Sequence, residues 1–472
     1  MTTSPYALVW FRRDLRLADN PALQAALAAG QLPVPVYIHA PEEEGAWAPG
    51  AASNAWLARS LAALQADLRQ RGSDLLILCG DSLQCLRQLC AQFGAAAVYW
   101  NRRYEPAISQ RDTQIKTVLR QDGLHVASFN ARMLSEPWRL LTGQGTPYKV
   151  FTPYWKALAP QLALPPGQLA PAALPAVPPA SGMQTVALEE LALTPALGWD
   201  RGFWELAEPG EAGALDTLQT FIEGALSGYA SQRDLPDRVG TSRLSPHLHF
   251  GEIAPWTIVH RLQAARTAAN AGDVDAWIRE LGWRDFAHYT LHHFPHSAEQ
   301  DHNPRFKRMA WREPTPDFLA AWQHGRTGVP IVDAGMRELW HTGWMHNRVR
   351  MIVGSWLCKH MRLHWRHGAA WFWDTLVDAD LASNTMGWQW VAGTGVDAAP
   401  YFRIFNPVTQ AQKFDPHGRY IARWVPELAL LPATARHAPW LHGGAPGYPA
   451  GPNVDLAQGR AAALAAYQAA GR

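Results

Sequence analysis

Two hydrophobic periodicities alternate over the first 130 or so residues. Short β-type apolar runs fall at Tyr6–Phe11, Pro33–Ile38, Leu75–Cys79, Ala97–Trp100 and Val126–Phe129. Helical patterns separate them, among them Asn54–Gln70 and Ser82–Phe93. Strand and helix in regular alternation predict a parallel, doubly wound α/β domain. Such sheets bind ligands beyond the carboxyl ends of their strands. The segment Phe11-Arg12-Arg13-Asp14-Leu15-Arg16-Leu17 falls at one of those ends. Its cations could meet an anionic ligand or form an exposed basic turn. No G-x-G-x-x-G follows any strand and no P-loop occurs, so a conventional dinucleotide or ATP fingerprint is absent.

From Leu158 to Ala180 the pattern lapses into Pro and Ala, with Pro160, Pro165, Pro166, Pro171, Pro175, Pro178 and Pro179. Proline removes donors and blocks helix, which predicts a connector laid over the surface. After Phe203 the pattern turns helical and stays so. Asp273–His292, Met345–Arg362 and Gly368–Ala382 read as helices, and the second domain is expected to be all-α. Residues from Pro432 onward are again rich in Pro, Gly and Ala, and end in a helical stretch, Leu456–Ala470. The expected division is an α/β domain over 1–135, a linker over 136–202 and a helical domain over 203–472.

Composition bounds the function. At 472 residues the chain is too long for one ordinary core. A net charge of +2 argues neither for nor against an anionic partner. Between Leu339 and Trp373 there is no acid, while Arg348, Arg350, Lys359, Arg362 and Arg366 all occur. That run reads either as a solvated helix face or as a polyanion-binding surface. Cys79, Cys85, Cys90 and Cys358 form no C-x-x-C pair and read as buried thiols in a reducing compartment. Met-Thr-Thr-Ser-Pro opens the chain without a signal-peptide pattern, and no apolar run reaches about 18 residues. A cytoplasmic location is expected. The 19 histidines show no ligand spacing with Cys or acids, so no metal is expected. No hydrolytic motif is present, which leaves a cofactor to carry any chemistry.

What stands out is aromatic surface: 23 Trp and 12 Tyr. Asp378-Ala379-Asp380-Leu381-Ala382-Ser383-Asn384-Thr385-Met386-Gly387-Trp388-Gln389-Trp390 mixes acids, an amide and indoles, which suggests a pocket wall. In Trp277–Arg284, helical spacing puts Trp277, Glu280 and Arg284 on one face with Trp283 flanking. Such a face could stack a heterocycle and bond its edge, or hold an internal Glu280–Arg284 pair. Asn347, Arg350, Met351 and Gly354 define a second face. Thr241-Ser242-Arg243-Leu244-Ser245 after Gly240 could cradle a phosphate or cap a helix.

Long motifs carry a resemblance. WFRRDLRLADNPAL at Trp10–Leu23, GTSRLSPHLHFGEI at Gly240–Ile253, GWMHNRVRM at Gly343–Met351, the Asp378–Trp390 segment and Asp397–Asp415 together resemble the photolyase/cryptochrome family of flavoproteins. The nearest pattern is that of bacterial class I cyclobutane pyrimidine dimer (CPD) DNA photolyases. The resemblance implies FAD, held by Tyr229, Thr241, Ser242, Arg243, Leu244, Ser245, Trp277, Arg284, Asn347, Arg350, Asp378, Asp380 and Asn384. Asn384 matches the position beside flavin N5, where plant cryptochromes carry Asp. Glu280, Trp283, Asn347, Met351 and Trp390 match the pocket for the flipped dimer, in a region where (6-4) photolyases carry a histidine pair. Arg233, Arg348, Arg403 and Gln410 match DNA-contacting positions. Trp388, Trp365 and Trp311 match a chain of tryptophans that delivers electrons to photoexcited flavin.

The resemblance thus implies light-driven repair of pyrimidine dimers in DNA by reduced FAD, with base flipping as in photolyases generally. It also implies a monomeric protein without a membrane partner. The alternative is a cryptochrome-type blue-light photoreceptor. A second, antenna chromophore is left open: Tyr104-Glu105 lacks the Asn-Glu pair of folate-binding relatives, and Ser53 stands where deazaflavin-binding relatives have arginine.

Overall fold

The computed structural model describes residues 6–179, 184–205, 207–398 and 402–470. The expectations for Met1–Pro5, for Ala180 and for residues 399–401 within the Asp397–Asp415 motif lie outside the described residues. Five parallel strands form one sheet: β1 (Tyr6–Phe11), β2 (Leu32–His39), β3 (Leu76–Cys79), β4 (Ala97–Asn101) and β5 (His125–Phe129), in the order β3-β2-β1-β4-β5. Central β1 pairs with both neighbours, Leu8 facing Val34 on one side and Val98 on the other. Its alternate residues enter two different cores. Ala7, Val9 and Phe11 pack with Trp56 and Leu61, and Leu8 and Trp10 with Leu86 and Trp100. Both faces are covered by helices, which is why the strands read as unbroken apolar runs. Cys79, at the end of β3, is exposed rather than buried, while the other three cysteines are buried and all four are free.

Among the described residues every strand precedes Pro137, and the rest of the chain is helical. The 158–179 stretch lies against the sheet domain: the Gln168 N–H donates to Asp19 Oδ1 (2.7 Å) and the Leu174 N–H to the Arg71 carbonyl (2.7 Å). The Phe151–Leu158 helix packs on the Ala271–His293 helix instead, with the Phe151 and Trp283 rings stacked 3.7 Å apart.

Two expected helices each depart from a single regular α run, the first by widening into a π turn and the second by a break. Met345–Arg362 becomes a helix over Asn347–Ser355, capped by His346, followed by a π turn at Trp356–His360. Gly368–Ala382 becomes two helices, Trp365–Thr375 and Leu381–Ala392. The cause of the break is a cap: extended Asp380 accepts the Ser383 N–H at 2.9 Å and starts a new helix.

The basic turn after β1 is not exposed. Arg12, Arg13 and Arg16 are buried. Arg12 pairs with Asp112 (2.6 Å), and Arg13 bonds His249. Arg16 donates to the carbonyls of Gly251 (2.8 Å), Asp19 (2.7 Å) and Ala131 (3.0 Å). The rigid guanidinium fork suits three fixed carbonyls better than a flexible ammonium would. The Leu15 N–H adds a bond to the Phe250 carbonyl at 3.1 Å, so this turn joins the two halves of the molecule. Phe203, Phe250 and Val377 from the helical half complete the core beneath it.

Gly251 is the tightest point of that junction. Its φ is +66°, and a Cβ there would collide with the Arg13 carbonyl. Gly251→Ala is expected to lower stability by roughly 1–3 kcal/mol through backbone strain and overpacking, read as a lower urea midpoint.

Candidate functional site

The Ala271–His293 helix presents Glu280, Arg284 and His288 at i, i+4 and i+8 on one face. The internal Glu280–Arg284 pair that this spacing allows does not form. Glu280 instead pairs with Arg233 across a helix boundary at 2.5 Å. Arg284 donates to the Arg132 carbonyl (2.5 Å) and the Leu248 carbonyl (3.4 Å). Trp283 is half-buried on this face, whereas Trp277 sinks into a core with Phe221 and Tyr229.

The Asn347–Ser355 helix brings up the second face. Asn347 is exposed in its first turn, Met351 is half-buried, and Gly354 lies under Trp388. Arg350 reaches Asp378 at 2.8 Å and the Met345 carbonyl at 2.8 Å. Arg348 points elsewhere, to Asp234 (2.7 Å), with its guanidinium over the Phe414 ring. The acid-free run is therefore not one basic surface. Its five cations include two paired with acids from other segments and one, Lys359, wholly buried; only Arg366 is exposed.

Asp380 is the electrostatic centre. It is buried, with one carboxylate oxygen spent on the helix cap and Oδ2 lying 3.6 Å from Arg132 and 3.5 Å from His288. Burial alone would push its pKa up; His288, Arg132 and Arg284 outweigh that and hold it below the ordinary carboxylate value. The burial cost falls on its partners. His288 is pushed down to about 4 by burial and is neutral at pH 7, and burial lowers Arg132 from its usual value. Next along the helix, burial raises Asp285 to about 7 despite the nearby Arg284.

All three Arg132 guanidinium nitrogens, both His288 ring nitrogens, Asp380 Oδ2 and Asp378 Oδ1 are buried without a hydrogen-bond partner among the described residues. Buried polar atoms are normally satisfied, so this cluster fits a polar group supplied from outside the chain.

The Leu381–Ala392 helix carries Asn384, Trp388 and Trp390. The Asn384 amide nitrogen donates to the Ala369 carbonyl (3.0 Å), which leaves its oxygen as the open group. Trp388 is 4% exposed and packs edge-on to Phe372 (4.9 Å) and Trp322 (6.1 Å). Gly368 makes room for it, since a Cβ there would overlap the indole. Trp365 is fully buried and donates its indole N–H to Asp301 at 2.8 Å. The His364 ring lies between Trp365 (5.5 Å) and Trp311 (5.2 Å). Trp388, Trp365 and Trp311 thus belong to one packed aromatic cluster.

Residues 241–245 approach from a loop. Arg243 holds a left-handed φ of +54°, with its guanidinium over Trp344. Ser245 begins the Ser245–Phe250 helix. The capping position falls to Leu244, with no side-chain cap bond, so the hydroxyls do not cap that helix. The Trp344 indole approaches Ser245 Oγ at 3.4 Å. Tyr229 is buried under Arg233. Arg403 is exposed, its guanidinium 5.8 Å from the Trp390 ring, and Gln410 is half-buried on the Pro407–Phe414 helix.

Arg132, Asp285 and His288 are the members that sequence reasoning missed. The i+8 step from Glu280 through Arg284 to His288 was the available signal. Arg132 has no periodic partner at all. Among the described residues no group of three or more His, Cys, Asp or Glu is placed to hold a metal, and no helix is long and apolar enough to cross a membrane.

Comparison with known proteins bears on this geometry. Residues 277–469 match the family described as the FAD binding domain of DNA photolyase, and residues 7–178 match DNA photolyase. A deoxyribodipyrimidine photo-lyase of Agrobacterium fabrum is 45% identical, over 99% of this chain and 98% of that protein. Cryptochrome-1 of Arabidopsis thaliana is 38% identical, over 92% of this chain and 64% of that protein. A crystal structure of a bacterial class III photolyase from Agrobacterium tumefaciens superposes with a TM-score of 0.93 at 44% identity, covering 100% of this chain and 98% of that one.

Asp380→Ala removes a helix cap, at about 1 kcal/mol, and takes away the carboxylate 3.6 Å from the buried Arg132, leaving that cation to Glu105. A total loss of roughly 3–5 kcal/mol is expected from urea unfolding. Asp380→Asn keeps the cap, so its loss should be smaller by about the cap energy; equal losses would remove the cap from the account.

Proposed function

The chain belongs to the photolyase/cryptochrome family, and from that premise we propose that it is a CPD photolyase: an FAD enzyme that splits cyclobutane pyrimidine dimers in DNA under light. The carrying observation is the Asp378–Trp390 segment. It sets a charge-balanced acid, an open amide oxygen, a buried indole and a half-buried indole along one short stretch.

Its residues divide as follows. The unsatisfied atoms of Arg132, His288, Asp378 and Asp380 are suited to the polar edge of a flavin, and Arg284 and Arg350 flank them. Tyr229 and Thr241–Ser245 take the phosphates. Bound in its reduced form and excited by light, FAD supplies an electron that opens the cyclobutane ring and receives it back, with no net redox change. Asn384, pinned by the Ala369 carbonyl, offers a neutral acceptor beside the flavin N5 position. A carboxylate there would add negative charge next to Asp380 and oppose reduction of the ring.

Glu280 accepts from the pyrimidine edge, and Arg233 keeps it aimed. Trp283 and Trp390 wall the flipped bases, with Asn347 and Met351 completing the pocket. Arg403, Gln410, Arg233 and Arg348 serve the DNA backbone. Two of these arginines are already paired with acids, so Arg403 is the one most open to a phosphate. Trp311, Trp365 and Trp388 carry electrons inward to restore the reduced cofactor.

A full-length match to a class III photolyase favours that class over class I. A second chromophore remains part of the reading: an open cleft of about 710 Å³ in the sheet domain has Trp100, Tyr104 and Trp138 with Arg102, Lys116 and Arg120 around it. The working division is the one expected from sequence, with the sheet domain over 1–135, a linker over 136–202 and the catalytic domain over 203–472.

Irradiating prereduced protein with a thymine-dimer oligonucleotide should remove dimers only in the light. Absorption of blue light without dimer loss would favour the photoreceptor alternative. Trp388→Phe should slow photoreduction of oxidised FAD at least roughly tenfold while leaving repair by prereduced protein within about twofold; equal losses would contradict the electron-delivery role.

A further inference from the structure

Lys359 is an outlier among the cations of this chain. It is 0% exposed, and among the described residues no carboxylate lies within ion-pair distance of it. It sits on the Trp356–His360 π turn, which swings its side chain across to the neighbouring elements. Its ammonium donates to the Ala392 carbonyl (2.5 Å), at the end of the Leu381–Ala392 helix, and stands 3.2 Å from the centre of the Phe402 ring. The Phe402 ring stacks in turn on Tyr467 of the Leu456–Ala470 helix (4.4 Å). Desolvating an unpaired ammonium costs several kcal/mol, and a methionine would fill much the same volume without that cost. Stability therefore does not account for a charge at this point; geometry does.

We infer that Lys359 is a positioning residue for damaged DNA. Its ammonium ties the carbonyl end of the helix that bears Trp390 to the segment that bears Arg403. Trp390 lies two residues before Ala392, and Arg403 directly follows Phe402. The tie fixes the separation of the indole assigned to the flipped bases and the guanidinium assigned to the phosphate, 5.8 Å between ring centre and guanidinium carbon. The inference rests on those two assignments made above.

The surroundings make the charge testable. Cys358 and His360 flank Lys359 on its own turn, and Asp301 lies on the Cys358 side. Arg403 follows Phe402, and Tyr467 and Arg305 lie beyond that ring. Burial pushes Cys358 up to about 12 and His360 down to about 4, so neither changes charge near neutrality. Burial pushes Lys359 down to about 7. In the unfolded chain it keeps its proton to about pH 10. Between these values the unfolded state binds more protons, so this group's contribution to stability rises with pH. Its cation–π contact weakens over the same range. Stability and positioning thus move in opposite directions, which a purely structural lysine would not do.

Lys359→Met and Phe402→Leu test this on the FAD-bound protein with a thymine-dimer oligonucleotide. Lys359→Met is expected to raise the thermal midpoint and to weaken dimer-DNA affinity roughly fivefold, the size of one lost cation–π contact. It should leave photoreduction of FAD unchanged. It should also abolish the fall in affinity that wild type shows from about pH 6 to about pH 9. Phe402→Leu keeps the lysine and should reproduce the affinity loss, which covers the case of a misfolded Lys359 variant. Wild-type affinity that is flat with pH, or Lys359→Met binding like wild type, overturns the positioning role alone. Wild type that binds dimer DNA no better than undamaged DNA overturns the repair reading itself.

Discussion

The buried carboxylate of Asp380 is the constraint on which the rest of the molecule turns. A lone carboxylate in a dry interior would take up a proton. Here one oxygen starts the Leu381–Ala392 helix and the other faces Arg132 and His288. The same group therefore sets where a helix begins, how that helix is aimed, and what charge the centre of the site carries. Asn384 and Trp388 stand one and two turns along that helix, so their positions follow from the cap.

That arrangement depends on the junction between the sheet and the helices. Arg132 reaches Asp380 from the chain just beyond β5, while Arg13 binds His249 and Arg16 holds the Gly251 carbonyl. The sheet domain thus supplies cations to a site whose acids and aromatics come from the helical half. Glu44 and Glu105 balance these cations on the far side, with Arg103 between them. The two halves share one buried charge network as well as a hydrophobic contact, so their relative placement sets the electrostatics around Asp380.

Much of the fold was legible because burial is two-sided in the sheet. Each strand falls within two residues of its apolar run, and Asn54–Gln70, Ser82–Phe93 and Leu456–Ala470 match helices closely. The break between Thr375 and Leu381 was not legible from periodicity, because Leu376, Val377, Ala379 and Leu381 continue an apolar pattern through it. Only Asp380 three residues before Ser383 marked the cap. The site divides the same way. Glu280, Arg350, Asp378, Asp380 and Asn384 were visible through motif resemblance, and the structure gathers Arg350 with Asp378 and Arg132 with Asp380. Arg132 itself was not visible, because its partner is distant in sequence and nothing local marks an isolated arginine as buried. The exposed basic turn and the basic run failed for the converse reason: charge patterns report composition, and the pairings that bury those charges come from other segments.

On the proposed function, a neutral amide at Asn384 beside the charge-balanced Asp380 permits the reduced cofactor to work. The most direct measurement is light-driven dimer loss from a thymine-dimer oligonucleotide, comparing prereduced wild type with Asn384→Asp. Wild type should clear dimers, and the variant should keep its fold and bound FAD yet repair at least roughly tenfold more slowly, the effect of about one pKa unit of added repulsion. Repair by Asn384→Asp at the wild-type rate would contradict the account.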